Sequence, residues 1–399
     1  MSNNPKVCVA TIDPSQVGGV TTMKEYFCKM AKRNGFEPHI AFFPLDPNLS
    51  IRMKNIFNER KIKRFIGGDY LDFKSYSIGS IFTEFEFLHY LSSYKLWRKV
   101  ISDADVCFAV SGTNQCCLPY VLAKKRFSFW IATTYFEDRK QNMISFTPMQ
   151  KILNIISLPF IMFFEGLIFK RANKILVLSK YTKDMILKKY KIDKSKIIIA
   201  PNPIDTDIFL PSRNVHEGIR ILFVGRINDP RKNVSMLMHA FNKLAYERRD
   251  VELWLVGEEP SENLRNLVSQ LGISGKVKYF KDVPHDEIVN FYQSCDIFAL
   301  PSYQEGLGIV VLEAMSCGLP VVSTKCGGPE WLLQDRENAL MVENNNIDAF
   351  ASNLLMIVDD MELRLKVGLK ARETIVEKCS IKSIEPLFVS ELQELINIR

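Results

Sequence analysis

The chain has 399 residues, enough for two domains of ordinary size, and its 47% apolar content is enough to fill real cores. Its 9 cysteines and 5 histidines form no C-x-x-C pair and show no ligand spacing, which argues against a zinc or disulfide framework and suits reduced, buried thiols in a cytoplasmic protein. The net charge of +7 hides an asymmetry, because residues 1–200 carry 31 Lys and Arg against 16 Asp and Glu, while the remainder carries 21 against 29; the two halves should therefore meet different partners, the basic one something anionic.

The opening MSNNPKVCVATID lacks a basic stretch followed by an apolar one, so no secretory signal is expected. Short apolar runs then alternate with amphipathic stretches. In the first half VCVATI (7–12), PHIAFF, VCFAV, FSFWIA, KILVLS and KIIIA read as strands. Gly18 and Gly19 stand just before an amphipathic helix. They read either as a tight turn or as a place where free amides and the helix dipole meet an anion. The segment IRMKNIFNERKIKRF (51–65) interleaves Arg52, Lys54, Arg60, Lys61, Lys63 and Arg64 with apolar residues. It reads as an element for an anionic membrane surface, with an ordinary solvated helix as the alternative. Residues 152–169 are apolar for 18 positions, near the minimum for a membrane span, but Asn154, Pro159, Glu165 and Gly166 interrupt them. A buried or surface-docked helix is expected there.

After the connection PNPIDTDIFLPSRNVHEG a second series begins: IRILFVG, VELWLVG, VKYF, DIFALP, PVVST and ALMV, with helices expected over 234–247 and 347–358. β-Branched strands between helices indicate parallel sheets covered on both faces, so two βαβ series make two doubly wound α/β domains. Ligands bind such sheets beyond the carboxyl ends of the strands. The closing SIEPLFVSELQELINIR reads as a helix with a stop at Pro386.

Two places at those carboxyl ends carry chemistry. In ILFVGRINDPRKN a strand runs out at Gly225, and Arg226 and Lys232 follow before the next helix. Two cations there suit a diphosphate, although a solvated loop explains them equally well. In YQEGLGIVVLEAMSCG, Glu305 lies in a loop, Gly306 and Gly308 allow close backbone approach, and Glu313 lies within the following helix. Eight helical residues would separate the two acids by about 12 Å along the axis, too far for a tight acid/base pair. That separation suits two hydroxyl-bearing parts of one long ligand. The apolar neighbours Val310, Val311, Leu312, Ala314 and Met315 leave little room for a solvated face.

As an ordered set, GRINDPRKN, PSYQEGLGIVVLEAMSCGLPVVSTKCGGPEWL, APNPIDTDIF and FKRANKILVLSKYTKD resemble the motifs of the retaining glycosyltransferase family 4. The likeness is strong over 169–342 and weaker before it. It implies the GT-B fold, two facing Rossmann-like doubly wound domains with a cleft between them. An acceptor-binding domain would span 1–205, a nucleotide-sugar-binding domain 206–380, and a last helix over about 381–399 would cross back onto the first. By the same resemblance Arg226 and Lys232 would bind the donor diphosphate, Glu305 the donor sugar and Glu313 the ribose hydroxyls. Amides around Gly306, Leu307 and Gly308 would meet phosphate or sugar, Val283 the base, and Gly18 and Gly19 the diphosphate. The family needs no metal and no cofactor beyond its nucleotide-sugar substrate. It retains anomeric configuration by front-face attack. Many members carry a histidine near the donor sugar, but here the corresponding stretch FSFWIATTYFEDRKQ has Thr133, Thr134 and Tyr135, so Thr134 is the candidate for that hydrogen bond.

The resemblance thus implies a hexosyltransferase-type enzyme moving sugar from a nucleotide-sugar donor to a hydroxyl acceptor. The basic first half points to a lipid-linked or glycan acceptor at a membrane, so the expected location is cytoplasmic and peripheral on the inner face of that membrane. No nucleic-acid motif accompanies the basic residues, and the second half is acidic, so nucleic acid is not expected as a partner. The alternatives are a nucleotide-sugar epimerase of the same fold and a non-catalytic nucleotide-sugar-binding scaffold.

Overall fold

The computed structural model describes residues 4–13, 15, 18–44, 65–81, 85, 87–142, 147–212, 216–284 and 286–397. All six cations of the basic run at 51–65 lie outside the described residues. The chain forms two compact units, Met1–Asn202 with Glu385–Arg399, and Pro203–Ile384.

Among the described residues, the first unit is built on eight strands: β1 (Lys6–Thr11), β2 (Glu37–Phe42), β3 (Phe65–Tyr70), β4 (Phe73–Ile78), β5 (Val106–Ser111), β6 (Phe127–Ile131), β7 (Ile175–Val177) and β8 (Ile197–Ile199). They are ordered β3-β4-β2-β1-β5-β6-β7-β8, and every pairing is parallel except β3 with β4. Strands β5 and β6 are buried along their whole length, as expected where helices cover both faces of a parallel sheet. The β3–β4 hairpin has no counterpart among the expected strands. Its turn residues Leu71 and Asp72 have φ of 49° and 63°, values usually given to Asn-Gly, so the residue types there carry no hairpin signal.

The apolar stretch lies in one continuous helix, Pro148–Arg171, which opens on a capping box between Thr147 and Gln150 and passes through Pro159 unbroken. One face, with Ser157, Ile161, Glu165, Ile168 and Phe169, is buried against the unit. Glu165 accepts a hydrogen bond from the Tyr135 amide (2.8 Å) and another from Tyr190 Oη. The opposite face exposes Met149, Ile152, Ile155, Ile156, Phe160 and Phe163. The helix is therefore docked on the unit by one side only.

The second unit contains β9 (Ile219–Gly225), β10 (Val251–Gly257), β11 (Val277–Lys281), β12 (Ile297–Leu300), β13 (Val321–Thr324) and β14 (Ala339–Val342). Their order, β11-β10-β9-β12-β13-β14, all parallel, is the 3-2-1-4-5-6 winding of a Rossmann sheet. The winding reverses between β9 and β12, which pair through Ile221 and Ile297. The loops that leave the carboxyl ends of these two strands are thereby made neighbours, and this is what positions the site.

Pro386 does not stop the last helix, which runs Ile381–Asn397 with the proline inside it. A proline near a helix start forfeits few hydrogen bonds, and burial of Ile384, Phe388, Leu392 and Leu395 outweighs the loss. From Glu385 onward the helix belongs to the first unit, where Glu385 accepts from Tyr26 Oη (3.0 Å) and Glu391 from Asn173 Nδ2 (3.2 Å). All nine cysteines are free and buried, and burial pushes the Cys8 thiol up to about 12.

Candidate functional site

The site in the second unit starts from two glycines. Gly225 ends β9 with φ of 152°, a backbone that disfavours any side chain. Its register partner on β10 is Gly257, where an added Cβ would stand 2.1 Å from the Gly225 carbonyl oxygen. The backbones can approach this closely only because both side chains are absent. The chain then enters the loop that carries Arg226 and Lys232.

Asp229 organises that loop. It caps the 3₁₀ turn Pro230–Lys232 by accepting the Arg231 amide (3.0 Å), and it also takes Arg231 Nε (3.1 Å), Arg231 Nη2 (2.7 Å) and Arg226 Nη2 (2.9 Å). Burial pushes its carboxyl up, but the hydrogen bonds from Arg231 and the charges of Arg231 and Arg226 outweigh it and bring the group down to about 2. Arg226 remains 64% exposed, so it is tethered at one point and open to solvent elsewhere.

Lys232 ends the turn with its ammonium 2.6 Å from Glu305 Oε1, and the two side chains are only 15% and 9% exposed. Glu305 stands in the loop after β12, and Ser302 Oγ donates to the same oxygen at 2.7 Å. Its backbone is fixed as well: the Glu305 amide donates to Cys326 O (2.8 Å) and the Gly328 amide to Glu305 O (2.9 Å). A Cβ on Gly328 would lie 1.9 Å from Gly306 O, so the two loops touch backbone to backbone. Leu307 is buried beside them and anchors the loop. Gly308, in the left-handed region at φ 73°, then opens the helix Ile309–Ser316.

Glu313 lies within that helix, 6% exposed, and accepts Tyr292 Oη at 2.7 Å. Burial and the facing carboxylate raise the Tyr292 phenol well above its ordinary value, which keeps it a hydrogen-bond donor. The two glutamates thus have different partners on different elements. Val283, two residues past β11, is half-buried behind Asp282, whose amide donates to Gly257 O at 3.0 Å.

The remaining predicted residues belong to the first unit. Gly18, at φ 145°, precedes the helix Gly19–Arg33 and accepts the Thr21 amide (2.9 Å), while Gly19 O accepts Asn202 Nδ2 (3.0 Å). Thr134 follows β6, is 2% exposed, and accepts the Asp138 amide (3.1 Å) with its carbonyl. Sequence reading missed Asp229, Tyr292 and Ser302. For Asp229 the Asn-Asp-Pro turn signal was there to use; Tyr292 and Ser302 become partners only through the fold. Among the described residues no group of three or more His, Cys, Asp or Glu is placed to hold a metal ion.

Two family models account for most of the chain. One described as Glycosyltransferase Family 4 matches residues 17–208, and one described as Glycosyl transferases group 1 matches residues 206–374. The lipopolysaccharide core biosynthesis glycosyltransferase LpsE of Rhizobium meliloti is 35% identical over 173 residues, 43% of this chain and 49% of that protein. The chain spans about half the length of the curated relatives it matches. In structure it is similar to sucrose-phosphate synthase from Thermosynechococcus elongatus, with a TM-score of 0.75 and 16% identity over 99% of this chain and 100% of that one. Anabaena HepE in complex with UDP gives a TM-score of 0.71 and 15% identity over 97% and 99%. The fold is therefore GT-B, two Rossmann-like domains in one chain, and the chain belongs to glycosyltransferase family 4.

Proposed function

We propose that the chain is a retaining, metal-independent glycosyltransferase of hexosyltransferase type that moves a sugar from a nucleotide-sugar donor to a hydroxyl acceptor in glycan, polysaccharide or glycolipid biosynthesis. The observation that carries this reading is the buried Lys232–Glu305 pair at the switch point of the second sheet. With phosphate on Lys232 and sugar hydroxyls on Glu305, the glycosidic bond lies beside the pair. The bond from the anomeric carbon to the phosphate oxygen breaks as the acceptor oxygen bonds the same face of that carbon, and the acceptor proton passes to the departing phosphate. Lys232 and the exposed Arg226 offset the charge that grows on that phosphate. Glu313 takes the ribose hydroxyls, Val283 meets the base, the Gly306–Gly308 amides meet phosphate or sugar, Gly18 and Gly19 the diphosphate, and Thr134 a sugar hydroxyl. That a fold relative holds UDP supports a nucleotide diphosphate as the carrier.

The acceptor in this reading is lipid-linked or membrane-proximal, and the chain works from a cytoplasmic, peripheral position on an anionic membrane. Support comes from the helix Pro148–Arg171, whose outward face is apolar while exposed cations stand at Lys151, Lys170 and Arg171.

A panel of nucleotide sugars, scored by thermal shift and donor hydrolysis, tests the function. One donor should raise the melting temperature and be slowly hydrolysed, and NMR of the transferred product should show a retained anomeric configuration. Binding with no hydrolysis or transfer would favour a scaffold. Conversion of the donor to an isomer without acceptor would favour an epimerase.

A further inference from the structure

We propose that Glu165 is a positioning residue for sugar transfer, fixing the loop after β6 so that Thr134 meets its sugar hydroxyl. This rests on the glycosyltransferase reading and on the contact given there to Thr134, and it adds the group that holds that contact in place. Three of the residues that interrupt the apolar run 152–169 lead to it: Asn154, Glu165 and Gly166. A helix docked by one apolar side needs no carboxylate on its buried face, yet Glu165 lies there at 0% exposure. Burying such a group is costly unless hydrogen bonds satisfy it.

The fold gives all three residues one task. Glu165 Oε1 accepts the Tyr135 amide at 2.8 Å, and Oε2 accepts Tyr190 Oη. Asn154, about three helical turns earlier, accepts Tyr135 Oη with its Oδ1 at 3.4 Å. Tyr135 is thus gripped at its backbone and at its ring tip from the same helix. An added Cβ at Gly166 would stand 3.3 Å from the Tyr190 ring, so the missing side chain leaves the room this ring occupies. Tyr135 directly follows Thr134 and is the first residue of the helix Tyr135–Asn142, whose leading amides have no acceptor within the helix. A carboxylate at that end also suits the helix dipole. The helix that carries Glu165 is itself pinned to the loop after β5, because the buried Asn114 donates from Nδ2 to Glu165 O at 3.2 Å. Burial raises the Glu165 carboxyl above its ordinary value, while the two hydrogen bonds and the Lys189 charge pull it down. An ionised carboxylate accepts at both oxygens, whereas a glutamine would turn an NH2 group toward one of the two donors. With both oxygens engaged and no part exposed, Glu165 reaches the reaction only through the loop it holds.

A double-mutant cycle on the full chain tests this, read as the rate at which it hydrolyses the nucleotide sugar selected by the donor panel. Thr134→Val should slow turnover about ten-fold, as the loss of one hydrogen bond would. Glu165→Gln should slow it several-fold with the donor KM little changed, and the double variant should be no slower than Thr134→Val alone. A merely structural loss would lower turnover by the same factor in either background; that outcome, or a Glu165→Gln chain at full rate, would overturn the proposal. Thr134→Val at full rate would remove the Thr134 contact and this proposal with it, and leave the transferase reading intact. An unaltered chain that binds the donor but neither hydrolyses nor transfers it would instead remove both. Should Glu165→Gln fail to fold, Tyr190→Phe takes its place in the cycle, because it loosens the same carboxylate, and the same outcomes decide.

Discussion

Lys232 and Glu305 are 73 residues apart in sequence and 2.6 Å apart in the fold. Removing one partner of a shielded pair leaves the other uncompensated, so Lys232→Ala should cost stability as well as rate. If the ammonium stabilises the leaving phosphate, turnover should fall by about 100-fold or more. The same is expected of Arg226→Ala, and near-normal steady-state rates in both variants would dispose of the phosphate role. Asp229 gives a pH-dependent readout. Its folded value of about 2 lies below the ordinary carboxylate range near 3.9. Its contribution to stability is therefore present above about pH 4 and lost as pH falls toward 2. Urea denaturation of Asp229→Asn should show a loss at neutral pH that shrinks over that window, and a loss independent of pH would contradict it.

The strand order of the second sheet is the element-scale cause of the site. Because β9 and β12 are neighbours, the loop after each meets the other, and the 325–330 segment closes over them through the Glu305 and Gly328 backbone contacts. Gly328 is the tightest point. A methyl group placed 1.9 Å from a carbonyl oxygen forces the backbone to move, so Gly328→Ala should destabilise the chain by about 1–3 kcal/mol. A lowered melting temperature together with weaker donor binding is expected; an unchanged melting temperature would mean that the loops are not locked together there. Much of this was legible beforehand. The β-branched runs gave the parallel strands, and the glycines marked the loop and helix start around Glu305. The β3–β4 hairpin was not legible, because its turn uses Leu71 and Asp72, and the continuation through Pro386 was not, because burial on one helix face overrode a local stop signal.

At the scale of the whole molecule, the charge asymmetry and the helix Pro148–Arg171 bear on location. Its six exposed apolar residues fall within an arc of roughly 140° at 3.6 residues per turn, opposite the buried face. The chain should co-sediment with anionic liposomes at low salt, and less so as salt rises. Replacing Ile155 and Phe163, each 66% exposed, by serine should remove the part of the binding that survives salt. Failure to co-sediment at low salt would end the membrane reading.

The sequence by itself determined the two βαβ series, the family and the identity of the charged residues in its motifs, because periodicity, glycine placement and motif order are local properties of the chain. Which groups touch was decided only by the tertiary structure. Lys232 with Glu305 and Tyr292 with Glu313 are each separated by many residues. Each is brought together by strand order, and strand order is set by how whole helices and sheets bury their apolar faces rather than by any short stretch of sequence.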